Sequence, residues 1–147
     1  MARKKKTRGK SLSAGALANK AAEKLQLLRR MEWADDNGYV QCCCCQEVRH
    51  YKDRMHGGHY IGRTRSATKL EHTNVNPQCA ICNYKMSKGD TLVWENYRIF
   101  MIETYGEDEL NRLKEKSKLT WKWCRTDLEE KIKELNGLIK QQEERLC

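Results

Sequence analysis

The chain has 147 residues, 39% of them hydrophobic and 33% charged, with one proline, which suits a helix-tolerant globular protein and excludes a collagenous or disordered one. Lys and Arg outnumber Asp and Glu 29 to 20, and the formal charge of +9 favours a polyanionic partner, nucleic acid first. No run of about 18 apolar residues exists to span a membrane. The basic N-terminus also lacks the apolar stretch of about 7–15 residues that a signal peptide needs, so a reducing, cytoplasmic setting is expected.

Residues 1–13 read as a basic flexible tail, with Lys4, Lys5 and Lys6 able to lie along phosphates. Residues 14–37 form an N-terminal helical segment, in which Leu17, Ala21, Leu25 and Leu28 step by threes and fours with Met31 beyond, and DDNG at 35–38 supplies the stop. From 39 to 76 the texture changes to short β-compatible pieces (39–40, 48–51, 59–61) broken by glycines and polar turns. Apolar residues are too few there to build a core unaided, and a metal would supply what is missing.

Helical character returns after Cys79. Residues 91–105 carry Leu92, Val93, Trp94, Tyr97, Ile99, Phe100, Met101 and Ile102, with Asp90 or Thr91 as cap and Gly106 as stop. This segment is the expected central core helix, its aromatic residues buried rather than offered for base stacking. A short charged helix follows from 107. The last begins near Thr126, where TDLE at 126–129 has the form of a capping box. Leu128, Ile132, Leu135, Ile139 and Leu146 give it an apolar face suited to packing within the chain.

Eight cysteines are present, four of them consecutive in QCCCCQ at 41–46. Cys79 and Cys82 form one CxxC pair, and within the run only Cys42 and Cys45 have the same spacing. Two such pairs about 34 residues apart fit a closed, tetrahedral, structural Zn²⁺ site. Cys43 and Cys44 must then point away, while Cys124 reads as a packing residue and Cys147 as a terminal thiol. A redox dithiol is disfavoured, because no thioredoxin-like βαβ pattern surrounds either pair.

Between the pairs lies MHGGHYIGR at 55–63, followed by NVNPQCAICN at 74–83. These residues resemble the HNH nuclease signature: His59 in the first position, Asn74 five residues before Cys79 in the second, and Asn83 directly after Cys82 in the third. The order CxxC, GGHY, N-x-x-P-Q-C-x-x-C-N and an aromatic-rich helix ending in TYGED resembles the phage recombination proteins called NinG or Rap. The likeness extends from about Leu25 to the last helix. It implies an α+β, mostly helical fold with a zinc-stabilised ββα-metal core at 38–106 and a C-terminal helical extension at 107–147. It further implies endonucleolytic processing of branched DNA such as D-loops and Holliday junctions, in the bacterial host cytoplasm, by single-metal hydrolysis leaving 5′-phosphate and 3′-hydroxyl ends.

In such a core His59 would take the proton of the attacking water, a task suited to a neutral imidazole. Asn83 would offer its amide oxygen to Mg²⁺ or Mn²⁺, Asn74 would fix the loop or orient His59 through a backbone carbonyl, and Arg63 and Arg65 would contact phosphates. The signature commonly carries a metal ligand immediately before the base, where this chain has Gly58. His56 is the nearest substitute, provided Gly57 and Gly58 bend the strand, with Asp53 and Glu47 as alternatives. His50 and His72 read as ordinary surface or packed residues and Asn76 as a turn residue. A junction's two-fold geometry makes a homodimer attractive. The competing reading is a non-catalytic, zinc-stabilised DNA-binding accessory protein, which explains the charge and the cysteines but not the placing of His59, Asn74 and Asn83.

Overall fold

In the computed structural model, which describes residues 11–146, the chain begins with the helix α1, Ala14–Trp33, whose first turn is capped by the Ser13 hydroxyl accepting from the Ala16 amide at 3.2 Å. Lys4, Lys5 and Lys6 and the thiol of Cys147 lie outside the described residues. Two antiparallel hairpins follow. Tyr39–Gln41 (β1) pairs with Val48–His50 (β2), and Met55–His59 (β3) pairs with Val75–Cys79 (β4) in the register Met55↔Cys79 to His59↔Val75. The remainder is helical: Ala80–Ser87 (α2), Thr91–Tyr105 (α3), Glu107–Ser117 (α4) and Arg125–Leu146 (α5). The mostly helical α+β character is as expected. No helix among the described residues is long and apolar enough to cross a membrane.

The helix at the centre is α1 rather than α3. Leu25, Leu28 and Met31 are sealed in the core, and Ala21 and Ala22 let neighbouring backbones approach closely. Its long partner is α5, whose buried Leu128, Ile132, Leu135 and Ile139 use up the apolar stripe inside the chain. By contrast α3 buries only Val93, Tyr97 and Met101, and leaves Leu92 at 68% exposure and Trp94 at 38%. Its ends fall where the caps place them: Asp90 accepts from the amides of Leu92 and Val93, and Gly106, at φ 88°, turns the chain into α4. The start of α5 differs from the capping box. Thr126 lies inside the first turn, and Cys124 stands at the cap, its sulfur accepting from the Asp127 amide at 3.5 Å and its carbonyl from the Leu128 amide.

The β3–β4 hairpin lies between α1 on one face and α2–α3 on the other, so every residue of β4 is buried, Asn76 and Gln78 included. Asn76 is no turn residue. Its Oδ1 accepts from Tyr105 Oη at 2.6 Å and from Arg29 Nη2 at 3.2 Å, and its Nδ2 donates to the Thr73 carbonyl at 2.9 Å. Arg29, only 6% exposed, also donates from Nε to the Val75 carbonyl at 2.9 Å, and Tyr97 donates to the Gly58 carbonyl at 2.6 Å. This satisfied polar network clamps the strand that carries His59. Asn76→Ala leaves Arg29 and Tyr105 short of an acceptor in the interior, and is expected to cost about 3 kcal/mol. Urea unfolding at constant m-value measures the cost, and a loss of only a few tenths would show the network to be incidental.

Candidate active site

The turn between β1 and β2 and the junction of β4 with α2 bring the two CxxC pairs together. The sulfurs of Cys42, Cys45, Cys79 and Cys82 all lie within 4.8 Å of one another, and those of Cys45 and Cys79 are 3.8 Å apart. Zn–S bonds of about 2.3 Å in a tetrahedron require S···S edges of about 3.8 Å. Backbone amides already face the sulfurs: those of Cys44 and Cys79 donate to Cys42 Sγ at 3.4 and 3.2 Å, and that of Cys82 to Cys79 Sγ at 3.4 Å. The neighbouring Cys43 and then Cys44 hold the Cys42 thiol far down. Burial, and then the Cys42 charge, push Cys82 up. Sulfurs this crowded compete for negative charge, and a divalent cation is what lets all four be thiolates. The donor set therefore fits a structural zinc ion.

Cys43 and Cys44 turn away, their sulfurs 3.7 Å apart in the core, where Cys44 Sγ accepts from Gln78 Nε2 at 3.4 Å. Burial drives the Cys43 thiol upward, and the hydrogen bond with Cys42 pushes Cys44 up to about 12, so both stay protonated.

The second centre is a cleft of ≈ 300 Å³ lined by Gln26, His59, Arg63, Asn83 and Trp94 among others, with no carboxylate on its walls. His59 ends β3. Its Nε2 lies 2.8 Å from the Lys69 carbonyl and donates to it, which leaves the lone pair on Nδ1, where Gln26 Nε2 makes a long contact of 3.5 Å. Burial, with Arg63 and Lys69 nearby, lowers the His59 pKa to about 4, so the ring is neutral at neutral pH. Asn83, on α2, reaches from the opposite wall. Its amide nitrogen Nδ2 stands 3.0 Å from His56 Nδ1, and burial, then Arg30, lower the His56 pKa.

Asn74 is fully buried and closes the loop after His59. Its carbonyl accepts from the Tyr60 amide at 2.9 Å, its Oδ1 from the Ile61 amide at 2.8 Å, and its Nδ2 donates to the carbonyls of Ile61 and Thr68 at 3.0 and 3.1 Å. The carbonyl that orients His59 is thus that of Lys69, while Asn74 fixes the loop. Arg63 lines the cleft, and Arg65, exposed two residues on, does not. Glu47 and Asp53 are spent on ion pairs with Arg49. His50 packs against the Tyr39 and Tyr51 rings, and His72 pairs with Glu32.

The strand does not bend at Gly57-Gly58. The ladder is regular, so His56 and His59 keep opposite faces. The glycines serve close packing instead: a Cβ at 57 would stand 2.5 Å from Gln26 Cα in α1, and one at 58 would stand 2.0 Å from Gln78 Oε1. Gly58→Ala is expected to cost about 1–3 kcal/mol, and Gln78→Ala, which removes Oε1 and Cδ but keeps a Cβ at 2.9 Å, to recover part of it. Gly57→Ala meets backbone, so its larger cost should survive the second change. Denaturation midpoints of the four variants settle the matter, and rescue of Gly57→Ala by Gln78→Ala would contradict this packing.

A model of the family described as Bacteriophage Lambda NinG protein matches residues 2–145 of the chain. No curated protein and no solved structure matches it.

Proposed function

The chain belongs to the phage NinG family, and from that premise we propose that it is a divalent-metal-dependent endonuclease that hydrolyses DNA phosphodiesters, at branched recombination intermediates. The observation that carries this reading is one cleft lined by His59, Arg63 and Asn83, in which burial lowers the His59 pKa to about 4 and the Lys69 carbonyl holds its Nε2. The branched substrate comes from the resemblance to recombination proteins.

Arg63 would hold a non-bridging oxygen of the scissile phosphate, and His59 Nδ1 would accept the proton of the attacking water, with Lys69's carbonyl keeping the imidazole in the correct tautomer. Asn83, through its amide oxygen, and His56, which meets it from the strand face opposite His59, are the residues that would hold Mg²⁺ or Mn²⁺. Asn83 Nδ2 and His56 Nδ1 stand 3.0 Å apart, so the two side chains already meet, and turning the Asn83 amide over would bring its oxygen beside the His56 nitrogen. Such an ion supplies charge stabilisation to the pentavalent phosphate and the leaving oxygen. With only these two protein ligands, water and phosphate would complete its shell. The zinc centre stands outside the chemistry and clamps the hairpin: Cys79 both ligates and pairs with Met55, four residues before His59.

The test is strand scission of end-labelled synthetic junctions, D-loops and linear duplexes by the zinc-loaded chain with Mg²⁺ or Mn²⁺. Nicking of the branched substrates in preference to the linear duplex supports the reading. Binding without any scission under either ion makes the chain a DNA-binding accessory protein instead.

A further inference from the structure

Between α4 and α5 the chain runs KLTWKWC over 118–124 without regular structure. The Trp121 amide donates to Ser66 Oγ at 2.9 Å, which fastens this segment to the loop that follows His59. With the first turns of α1 the two segments enclose a groove of ≈ 700 Å³, whose lining includes Arg63, Lys69, Trp121, Lys122 and Trp123 over a floor at Ala18.

Three features of this groove point to one kind of occupant. The first is charge. No carboxylate lines it, and among the described residues Arg63, Lys69 and Lys122 form no ion pair. Lys69 is held instead by the neutral Asn19 Oδ1 at 2.5 Å, and burial and Arg63 lower its pKa, as expected of cations kept together without an anion. The second is the indoles. Trp121 is 51% exposed, and its ring meets the edge of Trp123 at 6.1 Å, while Trp123 Nε1 is buried without a hydrogen-bond partner. The third is continuity, since Arg63 lines both this groove and the His59 cleft. A strand whose phosphate lies at Arg63 has its next nucleotides over the groove.

Cations beside exposed aromatic faces are the equipment of single-strand recognition: backbone phosphates meet the cations, and unstacked bases lie on the rings. Bases in a duplex have no free face to offer. We propose that the groove binds unpaired nucleotides flanking the scissile phosphate, so that the substrate is DNA with a single-stranded segment at the branch. The placement beside the scissile phosphate rests on the nuclease reading of the His59 cleft; single-strand binding itself does not.

Titration of tryptophan fluorescence in the full, zinc-loaded chain, without added Mg²⁺ or Mn²⁺, tests the groove. An oligothymidylate is compared with a blunt duplex of equal length. The oligothymidylate is expected to quench the wild type, and Trp121→Ala to weaken its binding by about tenfold, with Trp121→Phe retaining most of the affinity. Duplex affinity should change less than twofold in both. Lys122→Glu, an exposed change, should weaken oligothymidylate binding as well and gives a second reading should Trp121→Ala fold poorly. Equal oligothymidylate affinity in wild type, Trp121→Ala and Lys122→Glu overturns the proposal, and so does an equal loss by Trp121→Ala on single-stranded and duplex DNA. The outcomes separate from those of the cleft: loss of single-strand binding in Trp121→Ala, in a chain that nicks nothing, leaves the groove standing alone. Unchanged binding in a chain that nicks branched DNA removes the groove and keeps the nuclease.

Discussion

Cys79→Ser and Cys42→Ser are expected to lose zinc and folded protein together. Cys42 is the sulfur on which two backbone amides converge, and Cys79 belongs to the four-sulfur cluster while pairing with Met55 at the foot of β3. Serine offers no thiolate, so three sulfurs would have to hold the ion without the fourth. Structural zinc contributes about 10–16 kcal/mol in small domains, comparable with the whole net stability of about 5–15 kcal/mol of an ordinary one. The two hairpins bury few apolar side chains besides the cysteines, so little else can compensate. Zinc per chain by atomic emission and the thermal unfolding midpoint should fall in step. The control is Cys43→Ala: its sulfur lies in the core and outside the cluster, so that variant keeps its zinc. Unchanged zinc in both serine variants would sink the four-cysteine assignment.

His59→Ala is expected to lower nicking by about 10²–10⁴-fold, the usual worth of a positioned general base. Binding of branched DNA should be retained, because Arg63, Lys69 and Lys122 are untouched. The pH dependence carries its own signature. A base must be neutral to act, and an imidazole with the ordinary pKa of about 6.5 loses about fourfold of its neutral form between pH 8 and pH 6. Burial holds His59 to about 4, so kcat/KM, which reports the free enzyme, should stay level across that window and fall only on approach to pH 4. A fourfold decline by pH 6, absent from the zinc content over the same range, would place the base elsewhere.

The pattern of local signals explains which parts of this molecule were readable in advance. Asp90 and Gly106 act within one turn of chain, and α3 begins and ends where they place it. The CxxC spacing is likewise local, and tetrahedral ligation leaves Cys42 and Cys45 as the workable pair in the run of four. Strand β4 was hidden for the opposite reason. Both its faces are covered, so VNPQC shows no alternation, and its polar Asn76 and Gln78 are paid for by partners as distant as Arg29, Tyr105 and Cys44. The rank of α1 over α3 was hidden too: alanines at 21 and 22 look modest beside tryptophan and phenylalanine, yet their small size lets α1 sit at the centre. Of the cleft, His59 and Asn83 were found through the motif, whereas Lys69's carbonyl, Gln26 and Trp94 were not. The basic-aromatic alternation at 118–124 was visible as composition. Its place beside His59 depends on a contact with Ser66, 55 residues away.

The contact between Gly58 and Gln78 also constrains how this site can change over generations. A side chain at 58 that could hold an ion collides with the Gln78 amide, so that route is closed while Gln78 keeps its length. Shortening Gln78 first is the passable order, since it surrenders only the weak contacts of its amide to the Cys44 and Met86 sulfurs. Acquiring a ligand before the base is therefore a two-step path with a compulsory sequence. A lineage that has not taken the first step has no room for a side chain at 58, and the neighbour, more than the chemistry, holds the glycine in place.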